Sequence, residues 1–242
     1  MPENIVLEGA ISVLAALAAG NRVIKVVYLQ QNKSAALAAI TRQAGRCGVP
    51  VERVDEGVIT AYATGHSHGG VVALAGPRRF QSLDTLGRMV ANPLIVMLDG
   101  VEDPFNFGQA VRALYAAGVH GLVIRARNWG AGEGIIVRAS AGAAEWMPTA
   151  VVDSVHAAVT HFKTRGLTVI CTAATGSALA LYEANLQGPL FLVVGGERRG
   201  IAQGVLQEAD LVLRIPYGGS FGASLGTTSA VAVLAFEVLR QR

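Results

Sequence analysis

Five short, strongly apolar runs limit what this chain can fold into: residues 94–98, 121–124, 168–171, 190–194 and 211–215. A continuous apolar run of this length suits a strand buried on both faces, as in a parallel sheet. Between the runs lie helical stripes. Phe107, Val111, Leu114 and Gly118 line one, and Ile201, Val205, Leu206 and Ala209 another. Residues 154–165 and 225–240 supply two more helices, and a short helix near 135–144 precedes a strand near Thr149. Asp103-Pro104 marks a helix start, with Asp as N-cap and Pro at the first helical position. Strands that alternate with helices predict a parallel α/β sheet covered on both faces. Ligands of such sheets bind outside the carboxyl ends of the strands.

The first third is less regular. A helical stripe over 9–19 ends at Gly20, and a strand over 23–29, a helix over 33–46 and a strand over 51–54 follow. A helical turn at 58–62, a polar loop at 65–70 and a strand at 71–75 complete it. Residues 76–92 mix glycine, proline and charge without periodicity, which predicts domains at 1–75 and 93–242 joined by a linker. Apolar residues are 52% and charged residues 15%, against about 25% charged in ordinary domains, which excludes disorder. Two cysteines, Cys47 and Cys171, make no disulfide framework and suit a reducing cytoplasm. The longest uncharged stretch, 215–236, is broken by Pro216 and several glycines, and no basic-then-apolar leader opens the chain. A cytoplasmic protein without a membrane partner is expected. The net charge of +3 belongs entirely to residues 1–89, with 9 Lys and Arg against 6 Asp and Glu. That mildly favours a nucleic-acid partner for the first domain; a solvated face with extra arginines accounts for the charge equally well.

Three strand-to-helix junctions carry the polar and glycine-rich residues. In the first, Asn106, Gly108 and Arg112 stand together, and Arg112 one turn after Gly108 leans back toward the strand ends. The alternative is a surface arginine paired with Glu102 or Asp103. The second, 193–200, is a glycine turn with Glu197 where a dinucleotide fingerprint needs its middle glycine. Gly130, Gly132 and Gly134 also miss that fingerprint, by one residue. The third places Ser224 ahead of an apolar helix, where an ordinary N-cap is an equal reading. His66 and His68 form a weak metal pattern, His156 and His161 do not share a helix face, and neither cysteine has a convincing partner. No metal is expected.

Together the junctions resemble the SpoU (TrmH-like) branch of the SPOUT RNA ribose 2′-O-methyltransferases. The likeness rests on Asp103-Pro104-Phe105-Asn106-Phe107-Gly108 with Arg112, on Gly195-Gly196-Glu197 through Gly200-Ile201, and on Ile215-Pro216 with Ser224-Leu225. Ala139-Ser140-Ala141-Gly142-Ala143 with Pro148 adds to it. Gly9 and the helix after it, and His68 with Gly70-Val71-Val72-Ala73, are similar to the family's small substrate-recognition domain. Where the family usually has Asn, this chain has Gly226, and where it usually has Gln, Gly69. The resemblance implies a small α/β RNA-recognition domain followed by a parallel sheet tied in a C-terminal trefoil knot. It implies S-adenosylmethionine as cofactor, held by Thr172, Ala173, Gly195, Gly196, Gly200, Ile215 and Leu225. It implies Arg112, Asn106, Glu197 and Ser224 as catalytic residues, with Glu197 holding a neighbouring loop or Arg112. It further implies a homodimer through the C-terminal domain, and an RNA substrate with ribosomal RNA ahead of transfer RNA. A knotted protein that binds RNA or cofactor without catalysis is the alternative that Gly226 raises. An oxidoreductase using the 130–134 loop is a second.

Overall fold

The computed structural model describes residues 4–32, 37–65, 68–127, 129–130, 132–197 and 199–242. In chain order these form β1 (Ile5–Glu8), α1 (Ala10–Ala19), β2 (Ile24–Gln30), α2 (Ala38–Arg46), β3 (Val51–Val54), α3 (Glu56–Tyr62) and β4 (Val71–Ala75). Next come β5 (Leu94–Asp99), α4 (Pro104–Ala116), β6 (Gly121–Arg125), α5 (Gly132–Ala139), α6 (Ala143–Trp146) and β7 (Thr149–Val152). The chain ends with α7 (Val155–Thr164), β8 (Thr168–Thr172), β9 (Leu179–Ala180), β10 (Leu190–Gly195), α8 (Gln203–Glu208), β11 (Leu211–Arg214) and α9 (Thr227–Gln241). They divide into two compact units, Met1–Arg79 with Asn128–Trp146, and Phe80–Arg127 with Met147–Arg242. The first unit therefore takes in α5 and α6, which the sequence-based boundaries assigned to the second domain.

The first unit is built on a four-stranded sheet in the order β1-β4-β2-β3. β4 runs antiparallel to both neighbours, and β2 and β3 are parallel. Leu7, Val13, Leu17, Val27, Leu29 and Ile40 fill its core, joined by Val137 from α5. The sequence reading missed β1. Four residues at the start of a chain carry little periodic signal, and only pairing with β4 makes them a strand. α5 lies hard against β1: a Cβ at Gly134 would stand 2.3 Å from the Val6 carbonyl oxygen. That contact requires glycine.

Four charged side chains fasten the 132–146 segment to this unit. Arg22 donates to Glu145 from Nε (3.0 Å) and Nη2 (2.8 Å), and from Nη2 to Glu133 (3.1 Å). Arg78 reaches Glu133 from Nε and Nη2 and the Ala144 carbonyl from Nη1. The Arg22 and Glu145 side chains are both 0% exposed. Arg78, read from sequence as linker, is buried here.

The second unit carries a seven-stranded sheet in the order β7-β6-β5-β10-β8-β11-β9, with every pair parallel. The expected parallel α/β sheet is thus present. On one face Met97, Val123, Phe162, Phe191 and Val193 form a closed cluster. On α4, Phe107, Val111 and Leu114 are buried as expected, and α4 packs against α9. Gly118 departs from the expected stripe: it is exposed, past the helix end, at φ 76°. The helix expected near 135–144 is split at Ala141, whose φ of 51° is left-handed. α8 and α9 each start two residues later than expected, because residues 201–202 and 225–226 serve as entry turns.

Breaking the buried quartet should cost far more than a surface pair. Glu145→Gln leaves Arg22 and Arg78 to share the single Glu133 carboxylate, with an expected loss of roughly 3 kcal/mol by urea denaturation. Replacing Arg22 and Glu145 together by Met and Leu should recover most of it. Burial alone would raise the Glu133 carboxyl, but Arg78 and Arg22 outweigh it and hold it below its ordinary value. Its contribution is therefore complete above the ordinary Glu range and is lost as pH falls through the lowered folded value.

Candidate functional site

The sheet turns its strand ends into one site through register. Gly195 of β10 lies beside Asp99 of β5, Val193 beside Cys171 of β8, and Leu213 of β11 beside Thr172. The loops after all four strands therefore emerge at the same edge. β5 and β10 are neighbours at the point where the chain order reverses, the usual place for a crevice. There the Gly196 N–H donates to the Asp99 carbonyl at 2.6 Å. A Cβ at Gly196 would stand 2.3 Å from the Gly100 carbonyl oxygen, and one at Gly195 would stand 2.6 Å from the Gly200 backbone. Any side chain at either position would push these loops apart.

Two cavities open at this edge. The larger, of about 720 Å³, is lined by Thr172, Ala173, Gly195, Gly196, Gly200, Ile215 and Leu225, together with Glu197 and Ser224. Every residue expected on the cofactor side is in that lining. The smaller, of about 180 Å³, is lined by Gly100, Glu102, Asp103 and Asn106. Gly196, Glu197 and Thr227 belong to both linings and form the partition. Arg112 lies on α4, exposed, in neither lining. It has no hydrogen bond or ion pair among the described residues, so the pairing with Glu102 or Asp103 is not formed. Glu102 instead approaches Arg127 at 3.6 Å, and Asp103 Oδ1 caps α4 by accepting from the Asn106 N–H at 2.7 Å.

The first turn of α9 is held from two sides. Glu197 Oε1 accepts from the Thr227 N–H at 2.9 Å, and the Thr228 hydroxyl donates to the Asn106 carbonyl at 3.4 Å. Glu197 thus holds the start of the helix and not Arg112. Ser224 is not the N-cap; Gly226 is, and it has no side chain to cap with. The sequence reading also missed two aromatic residues of this loop. Tyr217 and Phe221 line the larger cavity with ring centroids 6.0 Å apart, and the Tyr217 phenol oxygen accepts from the Leu225 N–H at 2.8 Å. Two aromatics among glycines and serines were the available signal.

The remaining sequence candidates lie elsewhere. His68 is buried and its Nδ1 accepts from the Gly70 N–H, while His66 lies outside the described residues. His156 sits at 2.8 Å from Glu208 on the surface. Among the described residues no group of three or more His, Cys, Asp or Glu could hold a metal. No helix of the described residues is long and apolar enough to cross a membrane.

Known proteins match this arrangement over nearly the whole chain. The SpoU rRNA methylase family matches residues 93–236, and an RNA 2′-O ribose methyltransferase substrate-binding domain matches 6–81. The chain belongs to the SpoU rRNA methylase family. It is 30% identical to the 23S rRNA (guanosine-2′-O-)-methyltransferase RlmB of Shewanella oneidensis, covering 91% of this chain and 90% of that one. It is 32% identical to RlmB of Pseudomonas aeruginosa, covering 84% and 82%. An AdoMet-bound rRNA methyltransferase from Sinorhizobium meliloti shares the fold, with a TM-score of 0.83 at 24% identity over 98% of this chain and 87% of that one. The ribose 2′-O-methyltransferase class expected from the three motifs is borne out.

Burial pushes the Cys171 thiol up to about 12, with Glu208 adding to the effect. It stays a neutral thiol at physiological pH and suits packing, not attack. In the native protein a thiol reagent should modify exposed Cys47 and leave Cys171 untouched until the chain is unfolded. Two equivalents labelled natively at pH 8 would contradict this.

Proposed function

We propose that this SpoU-family protein transfers a methyl group from S-adenosylmethionine to a ribose 2′-hydroxyl of ribosomal RNA. The observation that carries the reading is the pair of adjoining cavities at the strand ends, parted by Gly196, Glu197 and Thr227. The larger has the size of a small-molecule site. Its chemistry suits the cofactor: aliphatic and aromatic walls for an adenosine, and hydroxyls from Thr172 and Ser224 for polar groups.

When bound, S-adenosylmethionine supplies an electrophilic methyl group that needs only an aligned oxygen. The protein's task is then to orient a weakly acidic hydroxyl and favour loss of its proton. Arg112 carries the positive charge for that, stabilising the developing negative charge on the 2′-oxygen. An exposed arginine with no ion pair among the described residues suits this role. Asn106 and Ser224 orient the hydroxyl, each exposed and each on one of the two linings. Residues 1–75 recognise the RNA, supported by the substrate-binding match at 6–81. The same reading implies a cytoplasmic protein whose C-terminal unit is knotted.

We further infer a homodimer through the second unit. On α9, Phe236 and Leu239 remain 46% and 49% exposed, and on the packed neighbour α4 Phe105 is 52% exposed. Apolar groups of this size on two adjoining helices suit a covered face. Light scattering at micromolar concentration should give the mass of two chains, and Phe236→Glu with Leu239→Glu should halve it. A single-chain mass for the parent would overturn the dimer.

The activity test is tritiated-methyl transfer to RNA from cells lacking the protein. Arg112→Ala should lower the single-turnover rate by roughly 10²–10³, the size of losing one oriented donor. Arg112→Lys should recover part, lacking the planar fork. Neither should change S-adenosylmethionine affinity by calorimetry. Ala230→Phe, which projects into the larger cavity from α9, should weaken that affinity at least tenfold. An Arg112→Ala rate within threefold of the parent would remove this mechanism. Cofactor binding without any transfer would leave a binding protein.

A further inference from the structure

The first turn of α9 has an unusual support. A helix start leaves backbone N–H groups without partners, and the N-cap side chain ordinarily satisfies one of them. Here the N-cap is Gly226, at φ −55° and ψ 142°, with no side-chain cap. The acceptor comes from 30 residues earlier in the chain: Glu197 Oε1, at 2.9 Å from the Thr227 N–H. Thr227 is buried, so its N–H has little access to water as a substitute.

Glu197 and Thr227 stand in the partition between the two cavities. Their hydrogen bond joins the turn after β10 to the helix that carries Ala230 and Leu234 into the larger cavity. We propose that Glu197 is a positioning residue: its carboxylate clamps the 195–200 turn to the start of α9 and so sets the width of the cofactor cavity. It does this in addition to capping the helix. This rests on the assignment of the larger cavity to S-adenosylmethionine.

The two roles separate at position 226. Its backbone is extended, as N-caps are, and a Cβ there would touch Glu197 Oε1 at an ordinary 3.4 Å. Asparagine therefore fits at 226 and can cap α9 from within, through the N–H of Thr228 or Ser229. It cannot tie the helix to the 195–200 turn. Position 226 can thus supply the helix with a cap of its own, on a different N–H from the one Glu197 holds, and cannot supply the clamp.

The test compares the parent protein with Glu197→Gln, Glu197→Ala, Gly226→Asn and Glu197→Ala/Gly226→Asn. Melting temperature and amide exchange over residues 227–229 are read without cofactor, and S-adenosylmethionine affinity by calorimetry. Glu197→Ala should lower the melting temperature, speed exchange and weaken the cofactor about tenfold, the scale of a charge-assisted hydrogen bond. Adding Gly226→Asn should restore part of the melting temperature, since it caps the Thr228 or Ser229 N–H while the Thr227 N–H stays unpaired, and leave the affinity low. Glu197→Gln, which keeps an acceptor oxygen, should stay within about threefold of the parent. Restoration of both properties by Gly226→Asn would reduce Glu197 to a cap and overturn the clamp. So would affinity within twofold of the parent in Glu197→Ala. If Glu197→Ala fails to fold, the double variant is compared with Gly226→Asn, and equal affinity of those two overturns the proposal. A parent that binds no S-adenosylmethionine defeats the cavity assignment and with it the clamp's ligand. The exchange of residues 227–229 then still reports whether Glu197 caps α9.

Discussion

The pairing of β10 between β5 and β8 is the constraint on which the candidate site depends. Parallel register brings the carboxyl ends of these strands level, so the loops after them emerge side by side. The Gly196 N–H closes on the Asp99 carbonyl at the end of that ladder, where no side chain fits between the two backbones. From this close approach follows the rest: a partition thin enough to belong to two cavities, and a turn tight enough to present Glu197 to the last helix.

The two units solve different problems. In the second, apolar strands between helices give a large core, and two cavities with polar groups in their linings open where the strands end. The first is small, and residues 132–146 complete it through a glycine contact and a buried charged quartet. Buried ion pairs add little net stability compared with apolar packing, because desolvation offsets their attraction. Their value lies in specificity, since any misplacement of α5 or α6 strands a charge away from water. The two units therefore rest on differently built supports: backbone geometry in one, paired charges in the other.

The elements most legible in the sequence were those whose signal is local. The five apolar runs became five central or near-central strands, and Asp103 capped its helix as its position before Pro104 suggested. The residues expected around the cofactor share one cavity. Elements that depend on distant partners were not legible. β1 is a strand because β4 pairs with it, and β9 has two residues and only β11 for a neighbour. α9 begins at Thr227 and not at residue 225, because Leu225 is held to the Tyr217 hydroxyl before the helix starts.

Periodicity and turn chemistry were thus enough to determine a parallel α/β sheet, and the resemblance of three junctions to a known family pointed to the methyltransferases. Those signals are written in consecutive residues, where backbone preference and the in-out rhythm of burial act. Only the tertiary structure decided that Arg22 and Arg78 are buried fasteners, that Arg112 has no ion-pair partner among the described residues, and that Glu197 supports a helix 30 residues further on. The physical reason is the same in each case. A charge's role is set by what shares its low-dielectric surroundings, and those neighbours are chosen by the fold, not by the adjoining sequence.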